Sequence, residues 1–133
     1  MNFLRKWAAG AVIGTLLLLC VPSATAAPTC TKTGTSGRDR ISGTRHRDVI
    51  CLRAGSDYGN GRLGSDAVRG GSGADTLVGG NGSDLLRGYG GSDDLFATDE
   101  SPNDTLDGGP GQDNCYGDRQ DTFRPSCEHI VRV

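Results

Sequence analysis

The chain has 133 residues, 22 of them glycine, with 5% aromatic residues and a formal net charge of −2. The length allows one small domain. The mild acidity, with arginines scattered along the chain, argues against a nucleic-acid partner, which needs a clustered basic face.

In chain order, the first 26 residues read as a secretory signal rather than as fold. Arg5 and Lys6 give a positive start, Ala8 to Val21 is an apolar run, and Ala24-Thr25-Ala26 is a small-residue cleavage pattern. The run is shorter than the ~20 residues needed to cross a bilayer, so no membrane span is expected after cleavage. "LLLLC" at Cys20 departs from a lipoprotein box, because Leu19 stands where a small residue is wanted. Cleavage removes the two cations Arg5 and Lys6 and no acid, taking the charge from −2 to −4. The expected location is secreted, in the extracellular space.

Residues 27–33 read as an N-terminal cap segment. Cys30, Cys51, Cys115 and Cys127 remain after cleavage. An even count in a small exported chain favours disulfides, and the absence of any CxxC pair argues against zinc. Of the three pairings that four cysteines allow, Cys30–Cys51 and Cys115–Cys127 are favoured, each pair being local and at one end of the repeats that follow.

The repeats occupy residues 34–116. "GGSGADTLV" (Gly70 to Val78) is followed at once by "GGNGSDLLR" (Gly79 to Arg87), and stepping by nine extends the frame in both directions. The sixth position is aspartate in seven consecutive frames: Asp39, Asp48, Asp57, Asp66, Asp75, Asp84 and Asp93. The eighth is Ile41, Ile50, Gly59, Val68, Leu77, Leu86 and Leu95, and the fourth is glycine except at His46. The frame slips between Ala97 and Asp107, where eleven residues including Pro102 replace nine, although Asp104 and Leu106 keep the phrase ending. It resumes at Gly108 to Tyr116 with Asp113 and Cys115, then fails, so residues 117–133 read as a C-terminal cap.

Glycine at positions one, two and four permits positive φ and close approach of backbones. Such a turn can curl its carbonyls inward beside the aspartate. Carbonyls and carboxylates are the oxygens that Ca²⁺ takes, six to eight at about 2.3–2.6 Å, whereas Mg²⁺ demands a stricter octahedron and gives up water reluctantly. Several Ca²⁺ ions are therefore expected. The candidate ligating turns are Gly61, Gly64 and Asp66; Gly70, Gly71, Gly73 and Asp75; Gly79, Gly80, Gly82 and Asp84; and Gly88, Gly91 and Asp93. To these are added Asp104, then Gly109, Gly111 and Asp113, and the earlier aspartates Asp39, Asp48 and Asp57. The turns near Gly43–Asn60 depart from the pattern: His46 replaces a fourth-position glycine, Leu52 a first-position glycine, and Gly59 the core aliphatic.

The phrases Gly70–Val78 and Gly79–Arg87 resemble the RTX nonapeptide, the calcium-binding repeat of haemolysin-type toxins and secreted bacterial proteases, and the resemblance extends over roughly Gly34 to Tyr116. It implies an all-β fold, a right-handed parallel β-roll in which two nonapeptides make one coil. Asp39, Asp57, Asp75, Asp93 and Asp113 would then line one edge, and Asp48, Asp66, Asp84 and Asp104 the other. Carboxylates stacked about 4.8 Å apart repel one another, and a cation between neighbouring turns converts the repulsion into shared coordination.

One aliphatic side chain per nine residues is a thin core, so folding on calcium binding is expected. The function expected is that of a secreted calcium-binding repeat protein, structural or adhesive, with a partner at a cell surface or in a matrix. Two rivals stay open. A metal-free β-solenoid that binds a surface would favour a threonine ladder, which Thr35, Thr44 and Thr76 do not form. A secreted hydrolase would need a nucleophile–base pair, and neither His46 nor His129 sits in such a setting. No enzymatic activity is expected, and the glycine-rich turns lack the Gly-Lys-Ser/Thr of a phosphate-binding loop.

Overall fold

The computed structural model describes residues 27–133; the expected signal segment and Cys20 lie outside the described residues. The described chain forms twelve strands: β1 (Lys32–Thr33), β2 (Arg40–Ser42), β3 (Val49–Ala54), β4 (Tyr58–Leu63), β5 (Ala67–Ser72), β6 (Thr76–Asn81), β7 (Leu85–Gly90), β8 (Asp94–Ala97), β9 (Thr105–Asp107), β10 (Asn114–Gly117), β11 (Thr122–Phe123) and β12 (His129–Arg132). They alternate between two six-stranded sheets, the odd strands in one and the even strands in the other. Every pairing is parallel. This is a parallel β-roll, one odd and one even strand per coil.

The repeat sets the register. Val49 pairs with Ala67 and Ala67 with Leu85, so each coil advances 18 residues. Past β8 the step becomes 20, with Leu85 opposite Thr105 and Asp94 opposite Asn114. The two extra residues of the slipped frame are taken up in the turn between β8 and β9, where Glu100 and Asn103 adopt left-handed φ of 66° and 75°. A turn can absorb an insertion that a paired strand cannot, because two extra residues inside a strand would shift its register against both neighbours and move the inward positions out of their file.

Alternation along each strand points positions six, eight and one inward. In β6, Leu77 and Gly79 are buried, as is Asp75 before them, while Thr76 and Val78 are half-exposed on the outer face. The core is a double file of the eighth-position residues. Ile50, Val68, Leu86 and Leu106 come from one sheet and Leu77, Leu95 and Cys115 from the other, all fully buried, with Ile41 and Phe123 packed at the ends. The disulfides form as expected, Cys30–Cys51 and Cys115–Cys127, each with Cα atoms 5.9 Å apart. The first ties the N-terminal segment to β3. The second ties β10 to the coil built by residues 117–133, where β12 pairs with β10 in the register Cys115 to Ile130.

Two departures from the repeat explain each other. Gly59 leaves the core without its aliphatic, and Leu52, in place of a first-position glycine, is fully buried. A Cβ on Gly59 would lie 2.8 Å from Val68 Cγ1 and 3.1 Å from Leu52 Cδ1. The Leu52 side chain therefore fills the space that Gly59 vacates. Leu52→Ala is expected to destabilise the calcium-loaded protein by about 2–5 kcal/mol, and Gly59→Ala by about 1–3 kcal/mol through overpacking. In denaturant titrations with excess calcium the double variant should lose at least about 0.5 kcal/mol less than the sum of the two; strict additivity would separate the sites.

Candidate metal centre

The turns that join the strands carry the sixth-position aspartates, and these form two ladders. In each, the backbone N–H of one aspartate donates to Oδ1 of the aspartate one coil later. On one edge Asp39 donates to Asp57 (2.7 Å), Asp57 to Asp75, Asp75 to Asp93 and Asp93 to Asp113 (each 2.9 Å). On the other, Asp48 donates to Asp66, Asp66 to Asp84 (each 2.7 Å) and Asp84 to Asp104 (2.6 Å). The two edges are those the resemblance implies.

Two acids outside the repeat frame complete the ladders. Asp113 N–H donates to Glu128 Oε2 (2.8 Å) and Asp104 N–H to Asp121 Oδ1 (3.0 Å). Neither is among the expected site residues. Asp121 follows its glycine, Gly117, by four residues instead of five, and Glu128 is the longer acid. The surviving signal is an acid two residues before a large hydrophobic one, as in Asp121-Thr122-Phe123 and Glu128-His129-Ile130.

The second carboxylate oxygen divides the aspartates into two groups. Oδ2 of Asp57, Asp66, Asp75, Asp84, Asp93, Asp104 and Asp113 is buried with no hydrogen-bond partner. At the N-terminal end the same oxygen is satisfied by protein. Asp39 Oδ2 accepts from Thr35 N–H (2.6 Å) and Oγ1 (2.9 Å), and Asp48 Oδ2 from Thr44 N–H (2.6 Å) and Oγ1 (2.8 Å). At the C-terminal end Asp121 Oδ2 accepts from Asp118 N–H (2.6 Å). The ends of the ladders are closed by second-position threonines and a local turn, and the interior is left open.

Glycines surround these open oxygens, the expected ones and also Gly108, which is not among the expected site residues. A Cβ on Gly61, Gly70, Gly79, Gly88 or Gly108 would collide with Oδ2 of Asp66, Asp75, Asp84, Asp93 or Asp113 respectively. Second-position Gly71, Gly80 and Gly109 and fourth-position Gly64, Gly73, Gly82, Gly91 and Gly111 all have left-handed φ. At Gly73, with φ 120°, a Cβ would land on the carbonyl oxygen of Gly55 one coil back, and at Gly91 on that of Gly73, so stacked turns pack backbone directly on backbone carbonyls. Arg53, Arg62 and Tyr89 take second-position conformations of φ 83°, 82° and 75° without glycine's freedom. Asp57 belongs to the open group although its turn lacks the first-position glycine, whose place Leu52 occupies.

Electrostatics follow burial. Burial first, then neighbouring carboxylates, raise Asp66, Asp75 and Asp113 above the ordinary carboxylate range, against the lowering effect of the ladder bond each accepts. Asp84 and Asp104 are pushed up to about 7 and Asp93 to about 6 for the same reasons. Asp48 is the contrast: burial raises it, but bonds from Thr44 and Thr31 and the charge of Lys32 outweigh that and hold it low. Among the described residues no three His, Cys, Asp or Glu side chains converge. A cation here would draw two carboxylates from stacked turns and the rest of its shell from main-chain carbonyls. An all-oxygen set of that kind fits a hard cation, and calcium above the others.

The model of the RTX calcium-binding nonapeptide repeat family, which spans four copies of the repeat, matches residues 33–68, 69–99 and 103–123. No curated protein and no solved structure matches the chain significantly.

The raised values carry a pH dependence. The unfolded chain loses its aspartate protons near pH 4, whereas Asp84, Asp93 and Asp104 in the metal-free roll hold theirs to about 7, 6 and 7. Their contribution is fully present below about pH 4 and is lost as pH rises through about 6–7. With chelator present, far-UV circular dichroism should show more strand at about pH 5 than at about pH 8, and the reverse order would contradict the assignment.

Proposed function

Because the chain belongs to the RTX calcium-binding nonapeptide repeat family, we propose that it is a secreted β-roll protein that folds on binding several calcium ions and serves a structural or adhesive role without catalysis. The observation that carries this reading is the set of seven buried Oδ2 atoms without partners, from Asp57 to Asp113. An unpaired buried carboxylate is strongly unfavourable, and seven in register in one small domain need positive charge between them. Each ion would sit between stacked turns on one edge, Asp75 sharing with Asp57 or Asp93 and Asp84 with Asp66 or Asp104. The remaining ligands would come from carbonyls of turns that include Gly61, Gly64, Gly70, Gly71, Gly73, Gly79, Gly80, Gly82, Gly88, Gly91, Gly109 and Gly111. The Asp39, Asp48 and Asp121 turns hold their carboxylates with protein donors and need no ion for closure.

Two features support export: the amino-terminal pattern over residues 1–26, and disulfides at both ends of the roll, which persist in oxidising compartments. Extracellular modules bind calcium at about 10⁻⁴–10⁻³ M, so the protein would stay unfilled inside a cell and fill outside it. A non-catalytic role suits the exposure of His46 on a turn and of His129 on the terminal strand. The metal-free solenoid is disfavoured because it offers nothing to the seven open oxygens.

Calcium titration followed by circular dichroism and native mass spectrometry tests the reading. Strand signal should grow with calcium and saturate with several ions bound. Asp75→Asn and Asp84→Asn should each lower the ion count and shift the midpoint to higher calcium, while Asp48→Asn should leave the count unchanged. An unchanged spectrum between excess chelator and millimolar calcium would sink calcium-dependent folding, and equal counts in all three variants would sink the site assignment.

A further inference from the structure

The outer face of the odd-strand sheet carries an arrangement that neither the calcium turns nor the core explains. Arg69 on β5 and Arg87 on β7 are cross-strand neighbours in register, which sets them about 4.8 Å apart on the same face. Like charges placed directly opposite are destabilising. Each has its Nε buried with no hydrogen-bond partner. Asp107 is next in the column, opposite Arg87, and its Oδ1 also accepts from Ser126 Oγ (2.8 Å), so the column sets two arginines against one acid. Each side chain is half-buried with its Nε shut off from solvent, so two positive charges stand in one column, and an oxyanion that reaches their exposed ends would balance both.

The flanking column indicates what carries the oxyanion. Arg53, Gly71 and Tyr89 follow one another across β3, β5 and β7. Gly71 has no side chain, so a notch about 9–10 Å wide, two strand spacings, opens between the exposed Arg53 and a Tyr89 that is 45% exposed. With Arg69 and Cys51 this notch lines a shallow recess of about 370 Å³. A second recess of about 550 Å³ lies on the other side of Arg69 and Arg87 and includes Arg47. An aromatic ring, which offers an apolar body with a polar tip, standing one residue's width from arginines suits a ring-shaped ligand bearing acidic groups. An acidic peptide is served less well, because β5 and β7 are paired on both edges and leave no main-chain groups for strand addition.

We propose that Arg69 and Arg87, with Arg53 and Tyr89 beside them, form a binding site for an acidic saccharide on the outer face of the odd-strand sheet. The two central arginines clamp a carboxylate or sulfate, and the Tyr89 ring packs against the apolar face of the sugar. The site lies on the outer face of the sheet beside turns proposed to hold calcium, since Gly71 and Tyr89 are second-position residues of those turns, so it rests on that reading and is tested on the calcium-loaded protein.

The test uses residues 27–133 loaded with calcium, with the roll checked by circular dichroism for every variant. Isothermal titration is run with a hyaluronan tetrasaccharide (carboxylated), a chondroitin sulfate tetrasaccharide (carboxylated and sulfated), maltotetraose (neutral) and an oligoglutamate of matched charge. At least one acidic saccharide should bind; the ratio of the two identifies the preferred oxyanion. Arg69→Gln with Arg87→Gln should weaken that binding at least about tenfold. Tyr89→Gly, which restores the residue found at this position in other repeats, should weaken it about threefold or more. Arg119→Gln, at an exposed turn, should have no effect. Amide shifts of the unmutated protein should move on β5 and β7 upon saccharide addition, which keeps the proposal testable if the double variant does not fold. Three results would each overturn it: no acidic saccharide binding up to about 10 mM, binding unchanged in the folded double variant, or oligoglutamate or maltotetraose binding as tightly as the acidic saccharides.

Discussion

The fold depends on one carboxylate used twice. From Asp57 to Asp113, each sixth-position aspartate points inward from its turn and accepts at Oδ1 the backbone N–H of the aspartate one coil back, at 2.6–2.9 Å. That bond fixes the stacking of the turns and satisfies an amide that no strand pairing reaches. It also buries the second oxygen. From Asp57 to Asp113 this oxygen has no partner in the protein, and the turn around it is emptied of side chains, since a Cβ at the first glycine would occupy the same space. The glycines, the thin core and the raised proton affinities follow from placing an acid where water is excluded and a cation has room. The ladder is structural with or without metal. The open oxygen makes the structure conditional.

Much of this was legible in the sequence because a solenoid repeats its physics at the interval at which it repeats its residues. The nine-residue period showed which positions recur, and the two-phrase coil that the resemblance implies is the register of β3 on β5 and β5 on β7. The eleven-residue interruption after Ala97 was visible as a slip, and its place in a turn follows from the cost of shifting a paired strand. The eighth-position core from Ile41 to Cys115 and the two disulfides also lie where the pattern puts them.

What the pattern hid was compensation. Leu52 and Gly59 count as two losses when each is compared with the repeat, yet they face each other inside the roll and exchange one side chain's volume. Thr35 and Thr44 stand at the second position, where Gly71, Gly80 and Gly109 have glycine, and their hydroxyls and amides are the donors that satisfy Asp39 and Asp48. Asp121 and Glu128 were missed because a terminal coil has only one neighbour. With stacking required on one side only, the spacing and length of the acid can vary, and only the acid-x-hydrophobic order persists.

These compensations share a location, which says something about how a stacked array can end. An interior turn leaves Oδ2 open with a neighbouring coil on each side, and under the proposed reading those coils build a cation cage. A terminal turn lacks one of those neighbours, and a half-built cage would strand a buried charge. The chain instead closes its terminal acids locally, with Thr35 and Thr44 at one end and the Asp118 amide at the other. Each disulfide also falls in a terminal coil, where β1 and β11 are only two residues long and pair with one neighbour each. Cross-links and side-chain donors therefore hold the two ends, while the middle, with glycine in the turns and seven open oxygens, has no such closure from the protein. The residues that look least like the repeat are those that allow the repeat to begin and to stop.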